Sequence, residues 1–334
     1  MISTVYAAAA RRRRERYAAR PDLRRRLRRP VISVGNLAVG GRGKTPLVIS
    51  IARMLLEMGE RPAILSRGYG RTRPADGVIV VRDSHEMRAD LASAGDEPLM
   101  IARRLPGACV VVGSERYLAG RLAEHQLGAT VHLLDDGFQH LQLDRDVDIV
   151  AVAGEDFEDT RTLPAGRLRE PPDVLLVADA VLIIGGEPDV LGDPVFETFR
   201  VRKTVMPPVV DGEAGGAALA DTAGAGCAVL ALAGIARPAQ FFDDLRGLSL
   251  NVVDTVAVRD HHPYVASDVR GLTERARARG AAAIVTTEKD YVRLLPFRPF
   301  GIPVAYAPLT MEPEPEADFR QWLAGSLRAA RDIA

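Results

Sequence analysis

The segment VISVGNLAVGGRGKTP, residues 31–46, places a glycine-rich loop between an apolar run and a helix-like stretch opening at Lys44 and Thr45. A strand, glycine loop and helix in that order can cradle phosphates. Backbone amides and the helix N-terminus face the anion, a lysine reaches the β/γ oxygens, and a threonine hydroxyl binds Mg2+. The candidate nucleotide-binding residues are therefore Ala38, Val39, Gly40, Gly41, Arg42, Gly43, Lys44 and Thr45, with ATP and Mg2+ as the expected cofactors. The strict loop pattern has glycine where Ala38 stands. Composition adds weight to Lys44. Of 44 basic residues only three are lysine, namely Lys44, Lys203 and Lys289. A chain that writes arginine wherever arginine serves keeps lysine where it does not.

A phosphoryl-transfer site of this type also needs an acidic residue at the end of a neighbouring strand, to position Mg2+ or its water. VHLLDDGFQH supplies Asp135 and Asp136 after an apolar strand; the sequence does not say which of them meets the metal. Further candidates stand outside these two motifs. Asp96 precedes a helix predicted from Glu97, where an N-cap role competes with a chemical one. His261 and His262 adjoin in RDHHPY, and residue type alone does not separate them. Lys289 in TTEKD fits either a turn capped by Thr287, with the lysine paired to an acid, or contact with a phosphate. Ser66–Arg73, SRGYGRTR, fits an anionic head group or a solvated turn.

The elements that must hold these residues alternate along the chain. Apolar runs at Val31–Val34, Ala63–Leu65, Val78–Val81, Ala108–Val112, Val131–Leu134 and Val147–Val152 are separated in several places by helical patterns such as Lys44–Met58, Glu97–Leu105 and Glu115–Gln126. This predicts an α/β fold: a P-loop-type, mostly parallel sheet with helices on both faces. A second α/β series from Ala228 to Tyr306 predicts a smaller C-terminal domain. The expected division is a basic arm over 1–30, a kinase-like domain over 31–200 and a smaller domain over 201–334. The length of 334 residues agrees with two domains. Two cysteines, Cys109 and Cys227, are too few for a disulfide framework, and no run of 18 apolar residues suits a membrane span. Net charge is zero overall, yet residues 1–30 hold eleven arginines against Glu15 and Asp22. Ile2, Val5, Tyr6 and Ala9 fall on one helical face beside them. The arm fits a solvated tail, an interfacial helix on an anionic membrane, or a nucleic-acid arm.

GNLAVGGRGKTP, ILSRGYGR, GDEPLMIARR, LLDDGFQH, LPAGRLREP, RDHHPY and TTEKD occur in the order found in the lipid A 4′-kinases (tetraacyldisaccharide 4′-kinases), which the chain resembles from about Val31 to Asp290. The resemblance implies transfer of the ATP γ-phosphate to the 4′-hydroxyl of a tetraacylated glucosamine disaccharide 1-phosphate. It also implies a monotopic enzyme at the cytoplasmic face of the inner membrane, with a lipid substrate and an anionic membrane surface as partners. It assigns nucleotide binding to Ala38–Thr45, metal binding to Thr45 and the Asp135/Asp136 pair, and acceptor activation to Asp96 with His261. Glu170 in REP is placed near the metal or the nucleotide. Ala38, Arg42 and Arg167 depart from the family pattern. The rival reading, a regulatory P-loop ATPase or GTPase with a protein partner, lacks a guanine-reading NKxD: TEKD is the nearest sequence. A nucleic-acid-binding ATPase is disfavoured, because the remaining 304 residues sum to −9 and aromatics make up only 5%.

Overall fold

The computed structural model describes residues 2–40, 43–73, 77–186, 195–210, 217–224 and 226–333. The chain runs α1 (Ile2–Ala19), β1 (Val31–Asn36), α2 (Lys44–Glu57), β2 (Pro62–Ser66), β3 (Ile79–Arg82), α3 (Leu91–Ala94), α4 (Asp96–Arg104), β4 (Cys109–Val112), α5 (Arg116–Gln126), β5 (Val131–Asp135), β6 (Val147–Ala153), α6 (Glu155–Glu158), β7 (Ala180–Ile184) and β8 (Glu197–Val205). It continues through β9 (Val209–Val210), β10 (Ala217–Ala218), α7 (Leu219–Ala223), β11 (Ala228–Ala233), α8 (Pro238–Gly247), β12 (Asn251–Ala257), α9 (Ala266–Ala278), β13 (Ala283–Thr287), α10 (Glu288–Leu294), β14 (Val304–Ala307), β15 (Leu309–Glu314) and α11 (Glu316–Ile333).

Strands β1, β2, β4, β5 and β6 are buried along their whole length, as unbroken apolar runs covered on both faces must be. They sit inside a nine-stranded sheet ordered β15-β8-β7-β6-β1-β5-β2-β4-β3. The strands from β8 to β4 are parallel, and β15 and β3 close the edges antiparallel. Residues of α2, α4 and α11 share one apolar cluster with the sheet, while α5 contributes to a separate cluster with Leu27 and Leu65. The carboxyl ends of β1, β5 and β2 are adjacent, which is where open parallel sheets place ligands. The second sheet, β10-β9-β14-β13-β11-β12, has α8 in one cluster with it and α9 and α10 in another.

The sheets do not divide where the sequence suggested. Residue 200 lies inside β8 of the first sheet, and the chain crosses over just beyond it, between Val205 and Val209. More consequentially, β15 returns to pair antiparallel with β8, from Leu309 opposite Val205 to Glu314 opposite Arg200. α11 follows it and buries Phe319, Leu323 and Leu327 in the first sheet's core. The reason is a partnering requirement that is not local: β8 needs a neighbour on its outer edge, and nothing within β15 says which sheet will supply one.

Phe319 is fully buried and meets the Phe199 ring edge-on at 5.1 Å. Phe319→Ala should therefore cost about 3–5 kcal/mol in denaturant unfolding. A loss of only about 0.5 kcal/mol, ordinary for surface positions, would mean that the C-terminal helix is peripheral.

Candidate active site

The phosphate loop takes its shape from two other segments. Gly43 caps α2 with φ +74°, a left-handed value, and a Cβ built there would lie 1.9 Å from Sδ of Met311 on β15. The positive φ favours glycine, and a side chain here would also have to displace the end of the Met311 side chain. At the loop's entry, the segment LPAGRLREP lies alongside. Val39 N–H donates to Arg167 O at 2.8 Å, Arg169 N–H donates to Leu37 O at 2.6 Å, and Ala38 bridges antiparallel to Leu168. Ala38 keeps a negative φ and is fully buried, so the missing glycine costs the loop nothing there. Arg167, another departure, reaches back to Val39 O at 3.2 Å. Gly40 has φ +108°, Thr45 is buried in the first turn of α2, and Gly41 and Arg42 lie outside the described residues.

Asp135 and Asp136 end β5 next to that loop, with Asp135 in register with Val34 of β1. Their surroundings differ. Asp136 adopts φ +55°, which aspartate tolerates better than most side chains. Lys44 Nζ donates to its Oδ1 at 2.6 Å, and Arg169 Nη1 donates to both its oxygens at 2.9 and 3.0 Å. Burial pushes its carboxyl up, but these two cations outweigh it and hold the group below the usual carboxylate range. Among the described residues, Asp135 accepts from Ser66 Oγ alone, at 3.3 Å. Burial first, then the negative charges of Glu97 and Asp136, push its carboxyl up to about 7 despite Lys44. One aspartate is thus already ion-paired, while the other has its carboxyl raised toward neutral pH.

Glu170 is placed differently from its expected role. Both of its oxygens accept from Arg14 of α1, at 2.9 and 2.8 Å, and the same guanidinium stacks 4.4 Å from the Phe138 ring. The REP block thus contributes Arg169 to the aspartates, and Glu170 to anchoring α1. Arg169 was missed because it is one arginine among 41.

Asp96 and His261 do meet. Asp96 is the first residue of α4, after Gly95, and its Oδ1 accepts the N–H of Glu97 at 2.9 Å. Its Oδ2 lies 3.1 Å from His261 Nδ1 and accepts from Arg293 Nε and Nη2 at 2.8 and 2.5 Å. Burial pushes this carboxyl up, while Lys289, Arg293 and His261 together bring it below its ordinary range. His261 has φ +57°, a value its own N–H supports by donating to Asp260 Oδ1 at 2.9 Å. His262 turns away to Asp268 at 3.0 Å. Lys289 pairs with Glu97 at 3.1 Å, and Thr287 caps α10 by accepting the N–H of Asp290. The capped-turn reading of TTEKD therefore describes this structure. Nearby, burial and then Arg116, Arg145, Arg13 and Arg67 push His140 down to about 4, which marks an electropositive rim beside the acids.

Asp135 gives a pH test with a definite sign. Unfolded, it releases its proton near pH 4; folded, it holds the proton to about 7. Stability is therefore lost as pH rises through that window, and the loss is complete above it. Nucleotide-free Asp135→Asn should melt higher than the native protein above pH 7, with the gain vanishing below pH 4. Parallel melting profiles across this range would show that Asp135 does not titrate there.

A family model described as tetraacyldisaccharide-1-P 4′-kinase matches residues 1–328. Among curated relatives, the tetraacyldisaccharide 4′-kinase of Pelobacter propionicus is 42% identical over 300 residues, covering 88% of this chain and 82% of that one. The enzyme of the same name from Geobacter metallireducens is 41% identical over 301 residues, covering 89% and 88%. In structure, LpxK from Aquifex aeolicus, crystallised in complex with ATP, superposes with a TM-score of 0.80 at 29% identity over 98% of this chain and 97% of that one. With a glycine loop, an acid pair and an Asp–His contact assembled at one sheet edge, and these likenesses spanning nearly its whole length, the chain belongs to the tetraacyldisaccharide 4′-kinase family.

Proposed function

We propose that the family's reaction takes place where β1, β5 and β2 end, with Asp96 and His261 serving the acceptor. The reaction is transfer of the ATP γ-phosphate to the 4′-hydroxyl of a tetraacyl disaccharide 1-phosphate, and family membership favours it over a regulatory ATPase or GTPase. The observation that carries the assignment of sites is the 3.1 Å contact between Asp96 and His261, 165 positions apart in the chain. Only a site lying between the two sheets brings them together.

Residues Ala38–Thr45 would receive the phosphates, with Lys44 moving from Asp136 to the β/γ oxygens. The Thr45 hydroxyl, Asp135 and Asp136 form an all-oxygen donor set of the kind Mg2+ takes. Among the described residues no three acidic, histidine or cysteine side chains cluster closely enough to hold a metal alone. That suits an ion completed by nucleotide oxygens, which would neutralise charge on the β- and γ-phosphates. Glu170, occupied by Arg14, is left out of this set. Asp96 is a weak base while Arg293 and Lys289 flank it. Weak basicity is compatible with the loose transition state of phosphoryl transfer, in which the attacking hydroxyl needs orientation first and loses its proton late.

The same reading places the chain on the cytoplasmic face of the inner membrane, resting on α1. Ser3, Arg11, Arg13 and Arg14 bond the helix to the protein, whereas Ile2, Val5 and Tyr6 face solvent. Arg12 and Arg16 are exposed alongside. An apolar edge bordered by arginines suits an anionic bilayer surface better than nucleic acid. No described helix is long and apolar enough to cross a membrane.

Asp96→Asn keeps the shape and the helix-start hydrogen bond but removes the negative charge. It should lower kcat by a factor on the order of 10² to 10⁴ with ATP affinity unchanged; the readout is product formation from Mg-ATP and purified disaccharide 1-phosphate lipid, followed by mass spectrometry. An active variant would leave Asp135 or Asp136 as the proton acceptor. For the membrane, replacing Ile2, Val5 and Tyr6 together by serine should weaken binding to anionic vesicles by on the order of 10²-fold. Unchanged sedimentation with vesicles would move the attachment elsewhere.

A further inference from the structure

Resting on the reading of Asp96 and His261 as the acceptor-side pair, we propose that Lys289 is a positioning residue that fixes the ring tautomer of His261. Lys289 Nζ lies 3.0 Å from His261 Nε2, 3.1 Å from Glu97 Oε1 and 3.6 Å from Asp260 Oδ1. An ammonium has three donors and no acceptor, so Nε2 must present its lone pair and the ring proton must sit on Nδ1. Nδ1 stands 3.1 Å from Asp96 Oδ2 and equally far from Arg293 Nη2. A protonated Nδ1 can donate only to the carboxylate. Arg293 has its own acceptors in Asp96 Oδ2, Asp290 Oδ1 and Gly234 O. One proton arrangement therefore satisfies the whole cluster, and Lys289 selects it.

The shape of the cluster accounts for the residue type. Glu97 on α4, Asp260 before His261, and the His261 ring converge on one point from three directions. A compact ammonium with three divergent N–H groups can serve all three, while a planar guanidinium fork cannot. In a chain with 41 arginines, lysine stands here and in the phosphate loop. Orientation of a catalytic imidazole through the partner of its other nitrogen is a general device, and a wrong tautomer is costly. The alternative role, a direct phosphate contact, would require Nζ to leave the three partners it now holds.

The test uses the full chain, with 15N-labelled histidine for long-range proton–nitrogen correlation and steady-state kinetics in which ATP and acceptor are varied separately. In Lys289→Met, His261 should pass from a single Nδ1–H tautomer to a mixture, and kcat should fall on the order of 10- to 100-fold with both KM values unchanged. Lys289→Arg preserves charge and bulk, and should fold even where the methionine variant does not. It should still turn over roughly tenfold more slowly. A single tautomer in Lys289→Met overturns the proposal, as does a tautomer mixture in Lys289→Arg, because a guanidinium also donates without accepting. A rise confined to the KM for ATP or acceptor would make Lys289 a phosphate ligand instead. His261→Ala separates the two levels of the argument. If it is fully active, the underlying pair fails. If it is inactive while Lys289→Met is active, only the role of Lys289 fails.

Discussion

Everything around this site answers one electrostatic requirement: carboxylates crowded at the ends of parallel strands must be balanced by cations brought from elsewhere. Burial first, then the charges of Glu97 and Asp136, push the Asp135 carboxyl up to about 7. Left uncompensated, such a group would neutralise itself by binding protons. Lys44 and Arg169 hold Asp136 ionised, and Lys289 with Arg293 does the same for Asp96. The four cations come from the helix after β1, the segment before residue 171, and α10. Charge balance thus ties together segments that no local rule connects. Among the described residues Asp135 has no salt bridge of its own, and Lys44 lowers its carboxyl only from a distance.

The same charges join the two sheets. Along the contact between α4 and α10, Asp96 pairs with Arg293, Glu97 with Lys289, and Arg104 with Glu288 at 2.8 Å. The Asp96–Arg293 and Arg104–Glu288 pairs are largely buried, while Glu97 is partly exposed. Pairs of this kind add little net stability, because desolvation consumes most of the attraction, but breaking one strands a buried charge. Their effect here is to fix one relative position of α4 and α10, and with it the distance between the acceptor-side pair and the phosphate loop.

Much of this was legible in the sequence for physical reasons that can be named. The glycine loop, the apolar runs and the aspartate pair are contiguous, so spacing alone carries their meaning. Asp96 and His261 required motif order, since each residue alone reads equally well as a cap or a surface histidine. Lys44 and Lys289 stood out through scarcity, whereas Arg14, Arg169 and Arg293 are as important to the charge balance and were lost among 41 arginines. The return of β15 and α11 to the first sheet was not legible, because an edge strand's choice of partner depends on which edges the rest of the fold leaves open. Gly43 shows the consequence. A side chain there would have to displace that of Met311, a residue 268 positions later on that returning strand.

α1 shows why charge patterning alone could not settle the role of the N-terminal arginines. Arg14 is consumed inside the protein, pairing with Glu170 and covering Phe138, two residues beyond Asp136. Arg11 pairs with Asp173, and Arg13 donates to Gln139 O, the next residue along the same loop. The helix is therefore joined to the loop that follows β5 by the same contacts that hold it on the body. Ile2, Val5 and Tyr6 on its outer side take no part in these contacts, whereas Arg11, Arg13 and Arg14 make them.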